Sequence, residues 1–409
     1  MLLKCERGEY MNSRVSIGRV PSFLFLLMLN LWIVMTAIGL VVPILPFYVK
    51  SFGASAETLG LLVASYSIMQ FLSASFWGRW SDRYGRKPIL VIGMMGFCLA
   101  EFLFAFAHSL WMLFLSRIVA GLFGTAVMPA AMAYVGDVTT HEERAKGMGL
   151  ISAAMGLGIV IGPALGGWLS HWGIRVPFFT AGFSALAAVF LTLFFLRESL
   201  TKQEIAYNRA QKGRSFFVQI CAAAKSCMGP LFIFLLIMSF GLANFQSIFS
   251  FYAMDRLHFS AAQIGWIFLW IGLIGVLLQI FALDRLVKRF GQATIVTVSF
   301  CIGGVAFLLL IFFHSLWMIV VATGLFSVSN ALLRPALNTL VSRMTKEKQG
   351  ETMGLSNGAV SLGNVIGPIV ATQSYNQAFF MPFVIGSIVM FTMPYFVLRW
   401  KRKYVIRSK

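Results

Sequence analysis

The sequence predicts an all-α membrane protein of twelve transmembrane helices, arranged as two pseudo-symmetric six-helix bundles. Three observations carry that expectation. The chain is 59% hydrophobic and only 11% charged, where a soluble domain carries about 25% charged residues. Its apolar residues fall in long blocks parted by short polar breaks. Its Lys and Arg residues gather in alternate breaks. In lipid every backbone N–H and C=O must be satisfied within the segment, so blocks of about 20 apolar residues must be helices.

The first block runs from Pro21 to Val49. It is too long for the apolar core of a secretion signal, and no small-residue cleavage site follows it, so it is expected to stay as a span. Met1 and Met11 both stand as candidate starts. The spans are expected at 22–46, 57–77, 88–107, 109–135, 147–170, 175–197, 229–254, 261–283, 293–313, 315–341, 352–374 and 377–398. The one long polar segment, 198–228, separates the first six from the last six. The expected organisation is a cytoplasmic tail (1–21), an N-terminal bundle (22–197), a central cytoplasmic loop (198–228), a C-terminal bundle (229–398) and a basic cytoplasmic tail (399–409).

Charge sets the sidedness. Of the 33 Lys and Arg residues, 28 lie in the two tails, the central segment taken from Arg197, and the loops at 78–87, 136–146, 284–292 and 342–351. With twelve alternating spans all of these fall on one side. Lys50, Arg175 and Arg256 fall on the other, and Arg117 and Arg334 within spans. The positive-inside rule then puts both termini and the central loop in the cytoplasm. The net charge of +19 needs no nucleic-acid partner, because anionic lipid of the inner leaflet accounts for it. The five cysteines match no metal or disulfide framework, and no metal or cofactor is expected.

The chain also repeats itself. HSLWM occurs at 108–112 and at 314–318, and MGLISAAMGLGIVIGP (148–163) matches MGLSNGAVSLGNVIGP (353–368) at ten of sixteen positions. Six spans separate the copies, so both run in the same direction across the membrane. Two halves related by an axis along the membrane normal follow.

Four groups of residues stand out. The loop from Gly78 to Lys87 holds two glycines, Gly78 and Gly85, which permit a tight turn. Asp82 can accept from a helix N-terminus or an Arg, and Arg83, Arg86 and Lys87 can reach a neighbouring carboxylate, for which Asp137 is the expected partner. A loop that only fixes topology is the plainer reading. Asp284 to Gly291 is a degenerate echo of it. The fifth span carries Gly158, Gly162, Pro163, Gly166 and Gly167. Glycines four apart share a face, so another helix can approach closely, and proline permits a kink. Arg117 and Glu101 lie at similar depth in the fourth and third spans. Charges within a bilayer are costly and are paired or functional, so an ion pair is expected, serving as a structural pair or as a proton relay.

On these motifs the chain resembles the major facilitator superfamily, and within it the drug:proton antiporters of the Bmr and NorA type. The loop matches the superfamily's pattern of glycine, three residues, Asp-Arg, one residue and Gly-Arg-Lys. The fifth span matches the antiporter pattern G-x-x-x-G-P-x-x-G-G. LSRIVAG around Arg117, PILPFY at 43–48 and LRPA at 333–336 extend the likeness over about 30–395. The resemblance implies that the loop locks the cytoplasmic gate while the pump faces outward. It implies that the fifth span packs on the eighth, which carries Gly265, Gly272 and Gly275. It places Met35, Gln70, Phe245, Gln246, Arg334 and Asn364 near a drug cavity. It implies export of amphipathic small molecules in exchange for protons from a bacterial inner membrane, by a monomer surrounded by lipid. The pattern breaks at Gln246 and Ala331, where relatives carry carboxylates. Glu101, Asp82 and Asp137 then remain as candidate proton carriers, and neutral, zwitterionic or anionic substrates anchored by Arg334 become candidates. A dedicated exporter of one metabolite, lipid or siderophore is the alternative, and a non-transporting receptor or scaffold a further one. No G-x-x-x-x-G-K-[ST], H-E-x-x-H or catalytic Ser or Cys grouping occurs, so neither an ATP-driven pump nor an enzyme is expected.

Overall fold

A computed structural model describes residues 22–140, 143–201, 203–206, 229–313, 315–344 and 349–404. The N-terminal tail, most of the central segment and the end of the basic tail lie outside the described residues. Fifteen α-helices form the described chain, with no strand among the described residues. They are α1 (Ser22–Val41), α2 (Leu45–Ser51), α3 (Ala56–Tyr84), α4 (Arg86–Ala105), α5 (Leu110–Gly124), α6 (Val127–Val138), α7 (Arg144–Leu169) and α8 (Val176–Phe195). The second half contributes α9 (Gly229–Asp255), α10 (Ala261–Phe281), α11 (Leu283–Phe290), α12 (Gln292–Phe312), α13 (Leu316–Met344), α14 (Gln349–Gln377) and α15 (Met381–Tyr404).

Ten spans are long and apolar enough to cross a bilayer, with α5 and α6 counted as one, and the bent α3 is an eleventh. α14 has 29 residues and is more polar than those ten, and it packs on α3 and α9. With it, twelve crossings stand among the described residues. Large apolar side chains line the outside, such as Phe194, Phe195, Phe312 and Trp317. In water such a surface would drive association, whereas lipid solvates it.

Two expected spans are broken. The first divides into α1 and α2 around Pro43, which cannot donate to the helix ladder. The fourth divides into α5 and α6 at Thr125 and Ala126. The expected loop at 78–87 is mostly helix: α3 continues to Tyr84, Gly85 alone leaves the helix, and α4 starts at Arg86. Gly85 has φ +104°, which only glycine adopts without strain. Gly291, 206 residues later, makes the same break between α11 and α12 with φ +77°. The caps repeat too. Ser55 Oγ accepts from Thr58 N, and Ser260 Oγ from Gln263 N.

The glycines of α7 are divided between two neighbours. Gly158, Gly162 and Gly166 lie against α1, where Cβ atoms would strike Trp32 O, Thr36 O and Leu40 O. Gly167 and Pro163 meet α10 of the other half, at Ala261 O and at Gly265. α14 repeats the device, with Gly363 and Gly367 on α9 and Thr372 against Gly60 of α3. The expected packing of the fifth span on the eighth is therefore present. Of the glycines expected there, Gly275 instead faces Ser327 and Ala331 of its own half.

Among the described residues, buried apolar side chains join the halves at one end only. Ile44, Leu45, Tyr48 and Leu59 share a continuous cluster with Ile248, Phe251, Tyr252 and Tyr375. At the opposite end, which carries Gly85 and is called the basic end below, the N-terminal half closes on a cluster of its own around Leu24, Met94 and Tyr134. The seam is thus sealed away from the basic end.

Gly162→Val should destabilise the protein by about 1–3 kcal/mol, the usual cost of overpacking, because its Cβ would stand 2.7 Å from Thr36 O and from Gly39 Cα. Thermal melting in detergent, compared with the lipid-facing Val298→Ala, measures this.

Candidate functional site

At the basic end one arginine gathers the ends of four segments. Arg86 is 7% exposed. Its Nε donates to Asp137 Oδ2 at 2.9 Å, and its Nη1 donates to Asp82 Oδ1 at 2.6 Å and to Ser81 Oγ at 3.1 Å. Glu198, just beyond α8, accepts from Arg86 N at 2.8 Å and from Lys87 N at 3.1 Å. These are unpaired first-turn amides of α4, where the helix dipole favours an anion. Lys87 Nζ donates to Leu193 O at 2.7 Å. Asp82, Asp137, Arg86, Lys87 and Gly85 are thus brought together, with Glu198 added. Gly78 has open space around it, and Arg79 and Arg83 each have an interaction of their own. All the partners named here belong to the N-terminal half or, for Glu198, to the start of the segment that follows it.

Within the membrane, Arg117 Nη2 lies 3.6 Å from Glu101 Oε1. Glu101 is fully buried and Arg117 is 9% exposed. Arg117 also stacks over the Phe104 ring at 4.3 Å. Ser116 Oγ donates to Ala100 O at 2.7 Å and fixes α5 against α4 beside the pair. Neither carboxylate oxygen of Glu101 has a hydrogen-bond partner. The two charges neutralise each other with spare hydrogen-bonding capacity left on both.

That pair forms part of the wall of a cavity of about 270 Å³ between the halves. α1, α3, α4 and α5 line one side of it, and α9 and α14 the other. Most of the wall is apolar, from Ile38, Val41, Leu59, Phe97 and Leu242. Tyr66, Ser67 and Gln70 supply polar groups from one half, and Gln246, Ser247, Ser250 and Asn364 from the other. Gln70 Nε2 reaches Tyr66 OH at 3.5 Å. Apolar walls with a few fixed polar groups suit small amphipathic molecules.

Three expected cavity residues lie elsewhere. Phe245 is 1% exposed and packs between Phe249 and Phe326, with ring centroids at 4.9 and 4.1 Å. Neighbours on a helix point about 100° apart, so Gln246 meets the cavity while Phe245 fills the core of its own half. Met35 lies with its Cβ against Gly158 of α7, and it is not part of the cavity wall. Arg334 is exposed on α13, and it does not line the cavity. It lies ten residues, about 15 Å, from the basic end of α13, whereas the cavity sits toward the sealed end. Ser247 and Ser250 escaped notice in the sequence. Their signal was the spacing of Ala243, Gln246, Ser247 and Ser250, which puts all four on one helix face.

Arg117→Met alone should cost about 3–5 kcal/mol, because it leaves Glu101 buried without its counter-charge. The double variant Glu101→Gln/Arg117→Met should recover most of that loss. A double-mutant cycle on thermal melting in detergent measures the difference.

Known proteins resemble this chain in sequence and in fold. The sequence profile of the Major Facilitator Superfamily matches residues 27–253 and 231–407. Multidrug resistance protein 2 of Bacillus subtilis (strain 168) is 32% identical over 393 residues, covering 95% of this chain and 97% of that protein. Quinolone resistance protein NorA of Staphylococcus aureus is 30% identical over 348 residues, covering 85% of this chain and 88% of that one. Among solved structures, the nucleoside transporter NupG superposes with a TM-score of 0.79 at 12% identity, covering 92% of this chain and 99% of that chain. A POT family transporter in complex with 5-aminolevulinic acid gives 0.79 at 14% identity, covering 95% of this chain and 98% of that chain. At these identities the solved structures speak for the fold, and the profile and sequence relatives for the family. The chain belongs to the Major Facilitator Superfamily.

Proposed function

We propose that the protein is a secondary active exporter of amphipathic small molecules, working by alternating access and exchanging its substrate for protons. The cavity carries this reading: it lies at the seam between two similar halves, draws polar groups from both, and has one end sealed. Relatives named for multidrug and quinolone resistance support export of drug-like compounds. The uncharged Gln246 and Ala331 favour neutral or weakly charged substrates over strongly cationic ones, and they keep a dedicated exporter of one metabolite, lipid or siderophore as the second reading.

Sidedness follows from charge. The basic end faces the cytoplasm of a bacterium, both termini lie there, and anionic lipid meets its Lys and Arg residues. The sealed end then faces outward, and the form described is open toward the cytoplasm. The cluster around Arg86 braces α3, α4 and α6 in this form and acts as the cytoplasmic gate once the cavity turns outward. Both halves of the cavity come from one chain, so a monomer is sufficient.

Glu101 is the proton carrier in this reading. It is a titratable group in the cavity wall, and Arg117 stands beside it as its counter-charge. A proton taken by Glu101 frees Arg117, and substrate and proton then compete for one site in alternating states. Asp82 and Asp137 hold Arg86 and serve the gate.

The test is dye uptake into inverted vesicles with an acidic lumen. Wild type should accumulate dye and stop when the gradient is collapsed, and Glu101→Gln should bind dye but lose the gradient-driven part. Uptake indifferent to the gradient would refute proton exchange. Asp82→Asn should insert normally and transport poorly; full transport would remove the gate role.

A further inference from the structure

Among the described residues one ion pair joins the two halves, and it lies at the sealed end. Lys50 Nζ of α2 is 3.1 Å from Asp255 Oδ1 of α9. The second oxygen, Asp255 Oδ2, accepts from Tyr375 OH of α14 at 3.1 Å. Arg256 Nε is 3.9 Å from that same oxygen, and its guanidinium lies over the Phe379 ring at 4.9 Å. In the sequence Lys50 and Arg256 stand out only as basic residues of the less basic side, and Asp255, Tyr375 and Phe379 do not stand out.

Their placement is electrostatically uneven. Lys50 sits in the last turn of α2, where the helix dipole favours a cation. Asp255 is the last residue of α9, where the same dipole disfavours an anion. α9 stops there through a tight turn, with Phe259 N donating to Ala253 O at 2.9 Å and His258 at φ 54°. A carboxylate held at the wrong end of its helix requires positive partners, and the one supplied by the other half is Lys50. Beneath the pair lies the apolar plug of Ile44, Tyr48, Phe251 and Tyr252.

We propose that Lys50 and Asp255 form the latch that holds the outer end closed while the cavity faces the cytoplasm, with Tyr375 as the positioning residue that aims the carboxylate. Outward opening must part α2 from α9, which breaks the Lys50 contact. Tyr375 belongs to the same half as Asp255 and keeps its bond throughout. The inference rests on the alternating-access reading and is independent of substrate and driving ion.

The experiment labels the cavity from outside. A Gln246→Cys reporter is placed in a chain whose five native cysteines are replaced, and a membrane-impermeant thiol reagent is applied to intact cells. A part-exposed pair is worth a shift of about two- to fivefold in the population it holds. Asp255→Asn and Lys50→Met should each raise the labelling rate by that factor. The charge-exchanged double variant Lys50→Asp/Asp255→Lys should bring it back toward the parent rate, which a merely structural role would not do. Unchanged labelling in both single variants, or no recovery in the exchanged pair, overturns the latch. Either single variant can be read if the other fails to insert. Dye transport plays no part in the readout, so a failure of the export reading stays distinguishable from a failure of the latch.

Discussion

The close approach of α7 to two helices at once governs the arrangement of everything else. Lipid offers no hydrophobic drive for one helix to leave it for another, so spans associate through close packing. Where side chains are missing, backbones can touch. Gly158, Gly162 and Gly166 let α7 rest on α1, and Gly167 with Gly265 lets it rest on α10 of the other half. α14 repeats this with α9 and α3. Two seams thus run between the halves, and the cavity lies between them. Motion that keeps both seams can open one end only by closing the other, the geometric condition for alternating access.

Much of this was legible in the sequence, because its signals are local. Span lengths follow from apolar runs, and the two halves from repeated segments. The packing of α7 on α10 could be anticipated from glycines four apart. Other features depend on direction or distance. Phe245 and Gln246 are adjacent in sequence and face opposite environments. Glu198 caps α4 from 112 residues away, and nothing near it marks that role. Residues 78–84 looked like a loop because they are polar, yet they form the last turns of α3, carried beyond the apolar zone where polar residues cost nothing.

The two halves share a scaffold and differ in chemistry. The hinge glycines Gly85 and Gly291 occupy equivalent places, as do the caps Ser55 and Ser260. Yet Lys288 stands where the repeat would put Asp82, and the Glu101–Arg117 pair has Phe307 and Thr323 at its repeat positions. Symmetry was kept where backbones touch and lost where charges act. The C-terminal half presents amides and hydroxyls to the cavity, while the N-terminal half holds the ionisable groups.

The one-residue break at Gly85 has a mechanical consequence. With no slack between α3 and α4, a movement at the end of α3 passes directly into α4. That helix begins at Arg86 and carries Glu101 fifteen residues on, about 22 Å along its axis. The charge cluster at the membrane surface and the ion pair beside the cavity are therefore mounted on a single rigid rod. A tilt that loosens Arg86 from Asp137 also shifts Glu101 against Arg117, so the rod works as a lever between surface and interior.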